Sequence, residues 1–350
     1  MKKAFIIADN IFSPLGKTSC EVFENMAHGK SSVKLVENGE ICRVPAYLSV
    51  FDEKFENKFE SICINSIHGA VSECGIDPKD PQTLFILSTT KGNIGVPLNK
   101  TAEIIAEKFG FINNPLVISN ACISGVVAIT IAERLIKKGG YRNIVVTGAD
   151  ILTDFIVSGF QSLKAIGSTV CRPFDVARNG INLGECAATV ILSSDAKSGV
   201  EVTGGAFNGD ANHISGPSRT AEGLYLSISR TMNGFNGLPS FISAHGTATS
   251  FNDEMESIGF DRAGLNDVPL NSLKPYFGHT LGAAGIAEII ISAHSIRKGI
   301  ALKTPGYENH GVTRNITVLK ENMRAELTSC LKTASGFGGC NASVLLVKNK

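Results

Sequence analysis

The chain has no Cys-x-x-Cys spacing, no excess of either charge, no apolar run long enough to cross a bilayer and no phosphate-binding glycine loop, and each absence removes a class of function. Nine cysteines, at positions 20, 42, 63, 74, 122, 171, 186, 330 and 340, are odd in number and scattered. That argues against a disulfide framework and a zinc site, and a reducing cytoplasm fits best. Lysine plus arginine number 33 against 32 acidic residues, a net charge of +1, so no nucleic-acid or polyanion partner is indicated. The most apolar helical stretch, Gly285 to Ile296, carries Glu288 and His294 and is shorter than the ~20 residues a span needs. The apolar run Ala4 to Ala8 is too short for the core of a signal peptide. Neither a Gly-x-x-x-x-Gly-Lys-Ser/Thr sequence nor a strand-linked Gly-x-Gly-x-x-Gly occurs, which leaves nucleotide binding without support.

What is present is 350 residues, 43% hydrophobic and 19% charged, enough to bury a large core as one large domain or two fused ones. Lys3 to Asp9 reads as a strand, and Thr18 as the cap of a helix reaching His28. Residues 30 to 55 hold short strand-like pieces, and a helix from Phe59 to Cys74 stops at Gly75. A buried strand, Thr83 to Leu87, leads through Ser88-Thr89-Thr90-Lys91-Gly92 to a helix from Lys100 to Lys108. Another, Pro115 to Ile118, turns sharply at Ser119-Asn120-Ala121-Cys122 into a helix from Val126 to Ile136, and Tyr141 to Thr147 forms the next strand. Strands alternating with helices imply a parallel sheet covered on both faces.

The second half repeats the plan. Ser240 to Ala244 enters a polar loop and a helix as Thr83 to Lys108 does. Pro269 to Leu273 enters a turn and a helix ending at Arg297-Lys298-Gly299, as Pro115 to Gly139 does. A duplicated βα unit predicts that loops after equivalent strands converge at the carboxyl edges of the sheet, where α/β proteins bind ligands. Cys122, His245 and His279 all lie on such loops.

Cys122 sits where a strand hands over to a helix. Free amides and the positive end of the helix dipole there stabilise an anion, and predict a thiol shifted downward into the reactive range. The alternative is an inert core cysteine. His245 and His279, each beside glycine at a strand end, fit either a structural role or a shared site. Gly336-Phe337-Gly338-Gly339, before a last strand from Ala342 to Val347, fits either a tight hairpin or backbone amides brought close to a ligand as an oxyanion hole.

Taken together these pieces resemble the β-ketoacyl-acyl carrier protein synthases of the elongating, Cys-His-His type. The resemblance runs over almost the whole chain: Ala121-Cys122-x-Ser124-Gly125, Arg172-Pro173-Phe174-Asp175, Gly184-Glu185, His245-Gly246-Thr247-x-Thr249, Asp253 with Glu256, Lys274 before Gly278-His279, Gly282-Ala283-Ala284-Gly285 with Glu288, and Gly336 to Gly339 with Asn341. It implies the α/β thiolase fold, with duplicated βα halves in a layered α-β-α-β-α sandwich. The halves are expected at 1–195, with the nucleophile, and 196–350, with both histidines.

It also implies that Cys122 accepts an acyl chain, with its oxyanion on the amides of Cys122 and Phe337. His245 and His279 would hold the malonyl thioester during decarboxylation, Thr247 and Thr249 the pantetheine arm, and the Lys274–Glu288 ion pair would keep His279 neutral. No bound cofactor or metal is implied; substrates ride on the phosphopantetheine of an acyl carrier protein. A homodimer, or a heterodimer with another ketosynthase-like subunit, is expected through the strand Leu116 to Asn120.

Alternatives are a non-catalytic partner of the chain-length-factor kind and an acyltransferase that does not decarboxylate. A thiolase would need a second cysteine as base, and Cys340 falls one step beyond the glycine loop. Departures from the family are Asn120 and Ile123 flanking the nucleophile, which reshape the acyl pocket, and Cys171, Cys186 and Ala188, read as core substitutions. The reaction would serve fatty-acid synthesis or a specialised polyene or polyketide pathway; Leu152 to Val170 and Ala211 to Leu238 are short for the family and point to a trimmed cap over the acyl tunnel and to the specialised pathway.

Overall fold

The computed structural model describes residues 2–37, 39–210, 212–213 and 216–349. Ala211, Ile214 and Ser215, within the segment read as a trimmed cap, lie outside the described residues. The first half supplies strands β1 (Phe5–Phe12), β2 (Thr83–Ser88), β3 (Leu116–Ile118), β4 (Asn143–Asp150) and β5 (Cys186–Ser193). The second supplies β6 (Gly199–Gly209), β7 (Phe241–Ser243), β8 (Leu270–Asn271), β9 (Ser329–Gly336) and β10 (Cys340–Asn349).

Their order is β8-β7-β9-β10-β6-β1-β5-β4-β2-β3. Read inward from either edge, the two halves follow one plan. β2 is parallel to β3 and β4, and β5 is antiparallel to β4 and β1. In the same way β7 is parallel to β8 and β9, and β10 is antiparallel to β9 and β6. Within the sheet the halves meet where β1 pairs with β6, at Phe5↔Glu201 and Ile6↔Val200. The duplication expected from sequence is therefore present strand for strand.

Helices α1 (Ser19–Ala27), α2 (Lys58–Cys74), α3 (Leu98–Phe109), α4 (Ser124–Lys137), α5 (Asp154–Ser162), α6 (Glu222–Thr231), α7 (Ser250–Arg262), the single turn α8 (Lys274–Phe277) and α9 (Ala284–Lys298) complete the chain. The start and stop signals act as read: the Thr18 side chain accepts from the Glu21 amide, and Gly75 and Gly299 end α2 and α9 at φ 65° and 67°. Helices α5 and α6 fall in stretches where no helix was expected.

Three cores account for the layers. Phe59, Ile62 and Ile67 of α2 pack with Phe85, Val145 and Ile191 on one outer face. Leu224 and Ile228 of α6 pack with Met255 and Phe260 of α7 and Leu331 on the other. Between the two half-sheets lie α4 and α9, most of whose residues are buried. Their side chains join inward-facing residues of both halves in one cluster, including Ile86, Val146, Ala334 and Val344. Five layers, helix-sheet-helix-sheet-helix, result.

The two central helices meet backbone to backbone. A Cβ on Gly125 would lie 2.8 Å from the Ile286 nitrogen, and one on Gly285 would lie 2.7 Å from the Val126 nitrogen. Only glycine fits at this crossing. We expect Gly125→Ala to cost about 1–3 kcal/mol by overpacking and to lower the urea midpoint accordingly; an unchanged midpoint would show that the crossing can part without cost.

Candidate active site

The loop after β3 carries the thiol. Ala121 takes a left-handed conformation, φ 45°, unusual for a residue with a Cβ. The Ser124 hydroxyl closes the turn, accepting from the Asn120 amide at 2.7 Å and donating to the Ala121 carbonyl at 2.6 Å. Cys122 is thereby held just ahead of α4, 7% exposed.

His245 follows β7, and Glu256 and Asp253 of α7 fix its loop. Glu256 accepts from the amides of His245 (2.8 Å) and Gly246 (2.6 Å); Asp253 accepts from those of Thr247 (3.0 Å), Ala248 (3.2 Å) and Phe174 (2.7 Å). His279 follows α8, and its backbone is pinned by hydrogen bonds to Asn182 and Gly184. Gly278 beside it has φ 73°, with a would-be Cβ 2.6 Å from the Leu183 carbonyl, so this close approach needs glycine.

The three loops converge. The Cys122 sulfur and one ring nitrogen from each of His245 and His279 lie within 4.8 Å of one another. The imidazoles meet edge to face with centroids 5.2 Å apart. Neither ring nitrogen of His279 has a partner among the described residues, although the ring is buried. A buried donor without a partner is costly unless a ligand supplies one.

Behind the histidines stands a dry ionic cluster. Lys274 bonds Glu288 Oε1, and Lys332 Nζ lies 2.6 Å from Glu288 Oε2; all three side chains are buried. Sequence reasoning found Lys274 and Glu288 but missed Lys332. The signal for it was a lysine in the same alternating register as Cys330 and Ala334, which face the central cluster.

Burial dominates the protonation states. Desolvation, then the charge of Lys274, hold His245 and His279 well below the usual histidine range, with Lys332 adding to both. Cys122 departs from expectation. Burial pushes its thiol up to about 11, with Lys274 and the Phe337 amide only partly opposing. The helix begins at Ser124, two residues beyond the thiol.

The glycine loop satisfies both of its readings. Gly336 pairs with Cys340 across a hairpin, and Gly338 and Gly339 have φ 86° and 72°. That turn sets the Phe337 amide against the Cys122 sulfur, and a Cβ on Gly336 would come 3.1 Å from the Cys122 amide.

A cavity of about 260 Å³ opens at Cys122, walled by Thr90, Lys91, Leu281, Phe337 and, from α5, Phe155 and Phe160. The Phe160 and Phe337 rings lie 5.5 Å apart. Ile123 does not line this cavity; it is buried in the central cluster with Val126 and Val127. The wall comes from α5 instead. Thr247 and Thr249 share a hydroxyl hydrogen bond of 2.8 Å. Cys171 and Cys186 are buried with thiols pushed upward by desolvation, Cys171 to about 12, as the core reading expects. A larger recess of about 520 Å³ beside Lys303 and Tyr307 touches none of these groups.

Fold and site together define a protein of the thiolase-fold class with a cysteine-histidine-histidine centre. Residues 88–198 match the model of the beta-ketoacyl synthase N-terminal domain, and residues 200–308 that of its C-terminal domain. The 3-oxoacyl-[acyl-carrier-protein] synthase 2 of Vibrio cholerae is 30% identical over 81% of this chain and 72% of its own length. That of Rhizobium meliloti is 33% identical over 65% of this chain, and the alignment spans 59% of its length. The chain belongs to the β-ketoacyl synthase family.

Solved structures agree on the fold. A type II polyketide acyl-carrier protein in complex with its ketosynthase superposes at TM-score 0.90, 20% identity and 99% coverage of both chains. A ketosynthase with its chain length factor from Xenorhabdus doucetiae gives 0.88 at 21% identity, covering 99% of this chain and 98% of that one.

A thiol at about 11 gains roughly tenfold in thiolate per pH unit below that value. Alkylation of Cys122 by iodoacetamide, followed by peptide mass, should be slow at pH 7 and still rising at pH 9. A plateau by pH 8 would mean the thiol is not desolvated as described.

Proposed function

We propose that this chain joins an acyl group carried on Cys122 to a malonyl unit on an acyl carrier protein, with loss of carbon dioxide. The observation that carries the proposal is the buried thiol facing two uncharged imidazoles, one with both ring nitrogens free of partners among the described residues.

In the first half-reaction the Cys122 sulfur attacks the thioester of an acyl-phosphopantetheine. Its proton passes to a neighbouring imidazole, since the resting thiol is not ionised, and from there to the departing pantetheine sulfur. The tetrahedral oxyanion is held by the amides of Cys122 and Phe337. In the second, His245 and His279 donate to the malonyl thioester oxygen. The bond to the carboxylate breaks, its electron pair forms the enolate, and carbon dioxide leaves. The enolate carbon then attacks the acyl-Cys122 carbonyl, a carbon–carbon bond forms, the carbon–sulfur bond breaks with its electron pair going to sulfur, and the released thiolate takes up one proton from solvent to restore the thiol. Neutral imidazoles are the donors this step needs, because a permanent imidazolium would bind the ground-state carboxylate as well as the transition state.

The pantetheine arm passes Thr247 and Thr249, and the acyl chain enters the cavity walled by α5. The wall of aromatic rings, the expected trimmed cap and the structural kinship with polyketide ketosynthases support a specialised polyene or polyketide pathway in the cytoplasm. Among the described residues no helix is long and apolar enough to cross a membrane. A dimer forms through β3, an edge strand whose Leu116 is exposed, with a second copy or a related subunit. The protein needs no bound cofactor or metal in this scheme. Retention of the thiol and both histidines in one cluster weighs against a non-catalytic partner and a non-decarboxylating acyltransferase.

Cys122→Ala should abolish acyl loading and condensation together, seen as loss of the acyl adduct in intact mass; persistent loading would place the nucleophile elsewhere. His279→Ala should lower carbon dioxide release from malonyl carrier by about 10²–10³ while loading changes far less. Equal losses in both would remove the role given to His279.

A further inference from the structure

Lys332 stands apart from the groups the family resemblance supplied. It lies on β9, wholly buried, in a strand whose other inward residues are apolar or small. Its ammonium is 2.6 Å from Glu288 Oε2 and donates to the carbonyls of Ser243 (3.1 Å) and Ala244 (3.0 Å). Those carbonyls belong to the two residues immediately before His245. A buried lysine is retained only when its charge is fully partnered; here the partners are the strand end of one histidine and the ion-pair acid of the other.

The groups around it come from every neighbouring element. Glu288 faces it from α9, Lys274 from α8 and Glu256 from α7, with Cys330 on its own strand. Lys274, Lys332 and each other's ring face the imidazoles, and Cys122 closes the triangle. Two lysines share the one carboxylate of Glu288, so the cluster keeps a net charge of +1 if all three are ionised.

We propose that Lys332 is a positioning residue of the decarboxylating half-site: it clamps the strand end that carries His245 to Glu288 and, with Lys274, keeps one net positive charge behind both imidazoles. It does not touch the substrate. The charge opposes protonation of the histidines and favours the enolate that forms on their far side. This rests on the reaction proposed above only for its kinetic readout.

The test uses the full chain with Lys332→Met, Lys332→Gln and the double variant Lys332→Met/Glu288→Gln. Loading of Cys122 by an acyl carrier, read by intact mass, reports on folding and the nucleophile. Carbon dioxide release from malonyl carrier between pH 5 and 9 reports on the half-site, and NMR of ring-labelled histidine titrates the imidazoles directly.

In Lys332→Met the net charge falls to zero. Loading should stay within about twofold, release should drop about 10–100-fold, and its acidic limb should move up by about one pH unit. The double variant restores +1 and should return that limb toward its original position, though not the full rate. Lys332→Gln keeps donors for the two carbonyls but not the charge. It should recover part of the rate with the limb still displaced.

Unchanged limb and rate in Lys332→Met would overturn the proposal, as would a double variant displaced as far as the single one. Failure of both single variants to fold would assign Lys332 to the core alone. If the unaltered protein neither loads nor decarboxylates, the proposed function fails while the imidazole titrations still decide the role of Lys332.

Discussion

Everything at the centre depends on the contact between α4 and α9, where two helices approach so closely that no side chain fits between them. Gly125 and Gly285 form the crossing, and two further glycines extend it toward the site. A Cβ on Gly148 of β4 would meet the Ala283 Cα at 2.9 Å, and one on Gly282 the Thr89 Cα at 2.7 Å. Glycine residues are conformationally expensive to fix, but the crossing puts the N-terminal ends of both helices side by side. Cys122 precedes one and His279 the other. A wider spacing would separate nucleophile and donor, and Asp150 reinforces the narrow one by accepting from the Thr89 hydroxyl at 3.0 Å and the Gly282 amide at 2.7 Å.

The acids of the family motifs act on main chain. Glu185 accepts from the amides of Phe51 (3.0 Å) and Leu152 (2.9 Å) and pairs with Lys58. Asp175 accepts from those of Glu308 (2.8 Å) and Asn309 (2.7 Å). Asp253 and Glu256 hold the His245 loop in the same manner. Burial drives the Asp253 carboxyl up to about 7 despite these donors, a measure of what the arrangement costs. Loops buried against a site leave amides that must be satisfied, and a short acid on a rigid element satisfies two or three at once.

Much of this was legible beforehand because it is local. A strand running into Cys122, a glycine-flanked histidine after each of two later strands and a repeated βα order are patterns in consecutive residues, and the paired halves of the sheet follow from them. What escaped is set by distance through the fold. Ile123 neighbours Cys122 in sequence, yet it is buried in the central cluster, and α5 supplies residues of the cavity wall. Burial moves the thiol opposite to the downward shift that its place ahead of a helix suggests: helix geometry is local, whereas desolvation depends on every layer above it. Lys332 carries no motif at all, and its importance lies in residues 89 and 44 positions away along the chain.

Burial also explains why one site can hold a nucleophile and two neutral donors. Excluding water raises the cost of every charged form, so the same layers that keep the thiol protonated keep the imidazoles uncharged. An aqueous site could not meet both conditions near neutral pH, because exposed histidine begins to protonate there. In the proposed reaction the thiol is then latent until substrate arrives. A thioester carbonyl placed against the Cys122 and Phe337 amides offers the developing anion two donors that the resting thiolate can use only in part. Proton loss is then coupled to attack and need not precede it. In the proposed reaction, reactivity at Cys122 thus belongs to the complex with substrate, where the amides of Cys122 and Phe337 meet the developing anion.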